Sequence, residues 1–486
     1  MLAPWVVEEM QQADLKDKRL NDRLCVVLAQ LAAHPTASIP AACGGRAEME
    51  AAYRLFDNEQ VTFDNILQSH REATQRRMAG QPVVVLAQDT TEVDLTRPAA
   101  QVQGAGPLDD GSRVGALLHL LHGFTPDGTP LGTVAATAWV RDEGPSLRKS
   151  LSKVERRSRP LEEKESHRWI AALEQAHEVA AGQPQTQVVC VADSEADIYE
   201  LLVAGTARPQ GAQWIVRACQ DRAVAPAADA GNDAENAAGG HLREQVLTQP
   251  VLFTKTLPVR GRKAKLSCDQ GRHQPRESRQ AEVEVRAARV TLRPPWRAGE
   301  KLPPVSVNVV LVREIDPPAG DVPVEWLLLT SLPIDSVEAV RQAIEYYCVR
   351  WMIEVFFRTL KSGCRAEERR FEHIDRQLRC LAVYLIVAWR TLYVCRLGRA
   401  CPEISCEAIF EPAEWKSVYR VVQNKPPPRR PPPLGEMVRM IAQLGGYVNR
   451  PRHDPPGPQT VWLGLQRMHD FALCWEMFGP EAKIKH

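Results

Sequence analysis

The chain is 486 residues long, with 61 Lys and Arg against 60 Asp and Glu and a formal net charge of +1. A single core would be overlarge at that length, which argues for about three domains, and 25% charged with 44% hydrophobic residues excludes a disordered or fibrous chain. The balance also excludes a global polycation, so any surface for an anionic polymer must be local.

The opening segment MLAPWVVEEMQQADLKDKRL lacks the basic, apolar and small-residue succession of a secretory signal. Residues 1 to about 75 read as a small helical module: Leu15, Leu20, Leu24, Val27 and Leu28 recur near a 3.6 period, and Arg46 to Phe56 forms a second segment. Pro35, Pro40 and Gly44-Gly45 break the pattern between them. Lys16, Lys18, Arg19, Arg23, Arg46, Arg54 and Arg71 could touch DNA, but acidic residues outnumber basic ones there, so charge alone points to a packing module. From Gln81 the texture changes. PVVVLAQD is a buried strand expected to end at Asp89, and two apolar runs around Asp127-Gly128 form a hairpin. A helix near Leu161 to Ala180 follows, then QVVCVADSEADIYELL, a second buried strand that ends in Asp193 and enters a helix. This succession predicts an α/β layer architecture.

Residues 205 to 335 hold alternating runs such as EVEVRAARVTL and VSVNVVLV, a β-rich insertion. SVEAVRQAIEYYCVRWMIEVFFRTLKSG and Gln377 to Arg396 then read as helices. The longest apolar run, Cys380 to Trp389, is too short to span a bilayer, and no membrane contact is expected. KPPPRRPPPL, Lys425 to Leu434, is an extended linker, followed by two amphipathic helices. The twelve Cys include no C-x2-C pair, and Cys401 and Cys406 have no His at ligand spacing. A cytoplasmic location is expected.

Three carboxylates stand out by position: Asp89 and Asp193 after buried strands, and Glu354 in the late helix. Strand ends of an α/β sheet gather ligands, and adjacent carboxylates repel unless a cation lies between them. Hard divalent ions take such oxygens and keep positions open for phosphate. Capping of the next helix is the plainer role for Asp193; Glu92, Asp94, Glu195 and Asp197 are rival ligands ranked lower. Tyr347, Arg350, Glu354 and Lys361 keep within about 60° of one face if the helix runs at about 100° per residue. Solvated salt bridges could explain that stripe, but Trp351, Ile353, Val355, Phe356 and Phe357 imply a mostly buried helix whose charges need partners.

These residues carry a resemblance. Asp89 in AQDTT, Asp193 in VADSEADIY, and Tyr347, Arg350, Glu354 and Lys361 as Y-x2-R-x3-E-x6-K resemble the DDE cut-and-paste transposases of bacterial insertion sequences, the YREK-bearing group typified by the Tn-five transposase. RAEMEAAYRLFDN, EKES, PPAGDVPVEWLLLTSLPI and IAQLGGYV extend it over most of the chain. The resemblance implies a ribonuclease-H-like catalytic core with a β-rich insertion, flanked by helical N- and C-terminal domains: residues 1–75 for DNA-end binding, 76–376 for catalysis, 377–486 for dimerisation, with the Pro-rich linker at 425–434. It implies that Asp89, Asp193 and Glu354 hold two Mg2+ ions, with Mn2+ as a substitute, and that Tyr347, Arg350 and Lys361 hold phosphates. It implies that Trp326 holds a flipped base, although its Leu-rich surroundings read as strand core. The implied reaction nicks the transposon ends, passes through a hairpin and joins the 3′ ends to target DNA, in a homodimer that synapses two double-stranded ends. Two alternatives are a nuclease without strand transfer and a noncatalytic DNA-binding regulator.

The neutral total conceals a segregation of charge. Between Lys255 and Arg297 the insertion carries a surplus of eight positive charges, in which Arg260, Arg262, Lys263 and Lys265 are expected to bind the DNA backbone.

Overall fold

A computed structural model of the chain describes residues 2–98, 101–109, 111–142, 160–225, 240–259, 261, 275–297, 301–449 and 455–480. Two units emerge, one built of Met1–Leu151 and Trp351–His486, the other of Ser152–Arg350.

The first unit opens with α1 (Pro4–Glu9), α2 (Lys18–Ala33), α3 (Ile39–Ala42), α4 (Arg46–Asp57) and α5 (Phe63–Ala79). Local chemistry sets their starts: Asp17 accepts from Arg19 N at α2, and Thr62 and Asn65 form a reciprocal capping box at α5. Leu24, Val27, Leu28 and Leu31 of α2 are buried, as the helical period requires. The basic residues of this module are largely matched on its surface, with Lys18 to Asp22, Arg46 and Arg54 to Glu50, and Arg71 to Asp64. Beneath them, Glu9 of α1 is buried against Arg77 (2.8 Å) and His70 of α5. Thr133 N donates to His70 Nε2 at 3.0 Å, so the ring proton sits on Nδ1 and faces Glu9. Burial pushes the His70 pKa down although Glu9 pulls it the other way.

Next come β1 (Val83–Asp94), β2 (Gly106–Pro107), β3 (Val114–Phe124) and β4 (Pro130–Trp139). β3 pairs antiparallel with β1, β4 and the short β2. Gly128, at φ +83°, makes the turn between β3 and β4. The expectation that the first strand stops at Asp89 is corrected. Val84 to Gln88 are buried and burial falls off at Asp89, but the ladder continues to Asp94 opposite Gly115 because β3 supplies partners that far.

In the second unit the chain forms α6 (His167–Gly182), β5 (Gln187–Ala192), α7 (Tyr199–Thr206), β6 (Gln213–Arg217), α8 (Leu242–Leu247), β7 (Phe253–Val259), β8 (Arg279–Leu292), β9 (Val305–Glu314), β10 (Glu325–Thr330) and α9 (Val337–Val349). The sheet order is β5-β6-β10-β9-β8-β7, with β5 and β6 parallel and the remaining pairs antiparallel. The β-rich stretch therefore extends one sheet, with α6 and α9 packed on β5 and α7 on β9. Along β8 burial alternates, as its sequence does.

The chain returns to the first unit with α10 (Trp351–Arg358), a π-helical turn (Thr359–Gly363), α11 (Ile374–Ala400), α12 (Pro412–Gln423), α13 (Leu434–Leu444) and α14 (Pro458–Phe478). The apolar run at Cys380 belongs to a longer element than expected. By length and composition α11 could cross a membrane, yet 78% of its apolar window is buried inside the protein, against α5 and β4 among others. It is a core helix. The proline tract bends at Arg429 and Arg430 and is pinned at its end, where Leu434 N donates to Ile404 O and Cys406 N to Pro432 O. The structure is thus mixed α/β, with sheet and helices in both units.

Candidate active site and nucleic-acid interface

In the second unit, β5 delivers Asp193 at its carboxyl end. The capping role is real: Asp193 Oδ1 accepts from Glu195 N at 2.8 Å and opens a short 3-10 turn. Val216 lies beside Ala192 in the parallel pair of β5 and β6, so Arg217 emerges at the same end of the sheet as Asp193. Tyr347, buried in the last turn of α9, comes to this end. Burial pushes the Tyr347 hydroxyl pKa up, Arg350 and Arg217 oppose the rise, and the charge of Asp193 adds to it. Arg350 hydrogen-bonds the phenol, and Arg217 Nη2 donates to Glu325 O at 3.2 Å. The Trp326 ring lies 5.9 Å from that of Tyr347, edge to face at 61°. Trp326 is half-buried, whereas Leu327 to Leu329 on the same strand are buried, so it is set apart from the strand's core.

Arg217 escaped the sequence reading, although a basic residue directly after the buried run Trp214 to Val216 was a usable signal. Of the rival carboxylates in this unit, Asp197 is buried and held by Arg222 at 2.6 Å and by the backbone N–H groups of Cys219 and Gln220. That is a structural anchor. Glu195 pairs with Arg168 at 3.1 Å.

In the first unit, Asp89 is half-buried on β1, where its Oδ1 accepts from Thr90 N at 2.7 Å. α10 packs against β1 and carries Glu354 in its first turn. Two expectations about this helix are corrected. Ile353, Phe356 and Phe357 are buried, but Glu354 is exposed and Trp351 is 58% exposed, so the helix is amphipathic with the carboxylate on its open side. Lys361 does not continue the α-helical stripe; it sits in the π-helical turn, where the wider winding breaks the 100° arithmetic. Its ammonium donates to the backbone carbonyl of Glu92 and lies 3.3 Å from Glu367 Oε1. The rivals Glu92 and Asp94 face Arg113 at 2.6 and 3.4 Å.

Arg260, Arg262, Lys263 and Lys265 lie outside the described residues. Elsewhere in the basic stretch, Arg279 pairs with Glu314 and Asp321, Arg286 with Glu284, and Arg297 with Glu200. Part of the surplus charge is therefore matched by the unit's own carboxylates, Glu314 at the end of β9, Glu284 on β8 and Glu200 on α7.

Among the described residues, no group of three or more His, Cys, Asp or Glu side chains stands assembled for a metal. In kind, the carboxylate oxygens of Asp89, Asp193 and Glu354 fit a hard divalent ion, which prefers such ligands to thiolate or imidazole. Carboxylates of this type, with a phenol, guanidinium groups and an ammonium, are the equipment of an enzyme that works on phosphodiesters.

Comparison with known families agrees. The transposase DNA-binding family matches residues 3–61, the transposase DDE domain matches 159–389, and the transposase Tn5 dimerisation domain matches 386–475. The chain belongs to the Tn5-like DDE transposases. It is accordingly a DNA transposase, an enzyme of metal-dependent DNA cleavage and strand transfer. Asp193, Tyr347, Arg350, Glu354 and Lys361 fall inside the DDE match, and Asp89 precedes it. Among solved structures, a piggyBac transposase synaptic complex with hairpin DNA is similar at 10% identity, over 81% of this chain and 72% of that one, with a TM-score of 0.35. So distant a likeness carries no argument about this chain.

Proposed function

We propose that the enzyme cuts transposon ends with Asp89, Asp193 and Glu354 as ligands of two Mg2+ ions, or Mn2+ in their place, in a ribonuclease-H-like core within residues 76–376. The observation that carries this reading is the gathering of Asp193, Arg217, Tyr347 and Arg350 at one end of the parallel β5–β6 pair. Such ions, when bound, supply an activated oxygen nucleophile and stabilise the leaving oxygen. The chain's own part is to hold the DNA in line. Arg350 takes a phosphate through two parallel N–H bonds, with Tyr347 orienting the guanidinium, and Lys361 supplies a point charge. Trp326 receives a base extruded at the cleavage point, which offsets part of an unstacking cost of a few kcal/mol.

Residues 1–75 recognise the end sequence, and residues 377–486 join two copies so that paired ends are cut together before the 3′ ends enter target DNA. The exposed Leu473, Met477 and Phe478 on α14 support that assembly. The substrate is intracellular double-stranded DNA, and the hairpin is the intermediate that frees it from flanking sequence. Incubation of the full chain with candidate end sequences and Mg2+, followed by sizing of the products, tests the reading: end nicks and hairpins are expected. Pre-cut ends offered with a target plasmid separate the alternatives. Joined product supports the transposase, and cutting without joining points to a plain nuclease.

A further inference from the structure

Glu367 lies on none of the elements that carry the acidic residues. It stands in a short 3-10 turn, Ala366–Glu368, entered through Arg365 in the left-handed region at φ +49°. Its Oε1 faces two donors at once, the backbone N–H of Asp94 at 3.0 Å and the Lys361 ammonium at 3.3 Å. The same ammonium donates to the Glu92 carbonyl. Strand β1 therefore holds Lys361 twice, directly through Glu92 and indirectly through a carboxylate braced on Asp94, along the stretch of strand that follows Asp89. The Lys361 and Glu367 side chains are only 28% and 24% exposed, and Arg113 draws the carboxylates of Glu92 and Asp94 to itself. A lysine on four rotatable carbons gives up rotamer freedom when it is fixed, so a single orientation needs partners that hold it. Lys361 itself stands in a π-helical turn, off the end of α10.

We propose that Glu367 is the positioning residue of Lys361: its carboxylate sets the ammonium against β1 so that it meets the DNA phosphate at the cleavage point in a single orientation. The inference rests on the reading of Lys361 as a phosphate-holding residue. Because Glu367 also offsets part of the ammonium charge, its loss should harm cleavage without weakening DNA binding.

Single-turnover cleavage of end DNA and the Kd for that DNA are measured with the full chain in Mg2+, for Lys361→Ala, Glu367→Ala, Glu367→Gln and the Lys361→Ala/Glu367→Ala double variant. Glu367→Ala should cut about 10- to 100-fold more slowly, the effect of a misplaced group, with Kd unchanged or tighter. Glu367→Gln, which keeps an oxygen for both donors, should recover most of the rate. The double variant should cut no more slowly than Lys361→Ala alone. Normal cleavage by Glu367→Ala, with Lys361→Ala slow, overturns the positioning and leaves the role of Lys361 standing. Equal slowing in both backgrounds overturns it too, since that would mark Glu367 as a fold residue. Normal cleavage by Lys361→Ala removes the phosphate role, and the positioning falls with it.

Discussion

Glu354 stands on the open side of a helix whose other side buries Ile353, Phe356 and Phe357, so truncating it removes a carboxylate and little packing. Glu354→Ala is expected to lower cleavage by about three orders of magnitude, the several kcal/mol a metal ligand supports, while mobility-shift binding to end DNA stays nearly intact. Normal cleavage would sink the metal assignment. Arg350→Lys should behave nearly as badly as Arg350→Ala in contact with the cleaved end, because an ammonium lacks the fork that takes a phosphate bidentately. A second residue-scale effect concerns stability. Burial pushes the Glu414 carboxyl up to about 6, with Arg390 opposing. The native state therefore holds the proton longer than the unfolded chain does, and the cost of ionising Glu414 grows as pH rises from the ordinary Glu range to about 6. Glu414→Gln should raise stability at pH 8 by on the order of 1–2 kcal/mol and change it little near pH 4; thermal melts at the two pH values check the sign. His469 beside it is driven down to about 4 by burial, so it is neutral at pH 8, where the effect is read, and takes up its proton only near pH 4, where Glu414 is itself protonated.

At the scale of elements, α14 approaches α13 through glycine. A Cβ at Gly464 would stand 1.8 Å from Ile441 O, and one at Gly445 would stand 1.9 Å from Thr460 O. Gly464→Ala should cost about 1–3 kcal/mol as overpacking and loosen the C-terminal helices first, read by a lower melting temperature and by proteolysis within α13 and α14. Unchanged melting would mean that the helices slide apart without loss. Capping and periodicity made most helices and the β3–β4 turn legible in the sequence, since each rests on residues a few positions apart. The end of β1 was not legible, because it depends on how far β3 runs beside it. The π-helical turn was missed for a similar reason: a 100° projection assumes the winding it sets out to test.

For the whole molecule, the charge segregation has a measurable consequence. If Arg260, Arg262, Lys263 and Lys265 meet backbone phosphates, neutralising all four should flatten the slope of log binding constant against log salt by about 3–4, near 0.9 per phosphate. An unchanged slope refutes the placement. The ion pairs of Arg279, Arg286 and Arg297 predict that neutralising those three changes the slope much less. Assembly is tested apart from chemistry by Phe478→Asp with Met477→Asp. Phe478 is 79% exposed, so the monomer should fold, bind a single end and fail to cut paired ends; a dimer by sedimentation would contradict the role of α14.

The sequence by itself determined the elements, the strand leading to Asp193 and the Tyr347, Arg350, Glu354 and Lys361 pattern that marks the family, because spacing along one chain encodes each of them. Only the tertiary structure decided which charged groups are committed elsewhere. Asp193 and Asp197 are four residues apart with the same carboxylate, yet Asp197 is buried on Arg222 while Asp193 caps a turn beside Tyr347 and Arg217. Glu367 reaches Asp94 across 273 positions. Side-chain type and spacing are local, but a charge takes its function from the partners and burial that folding brings to it, and those come from strands and turns far away in the chain.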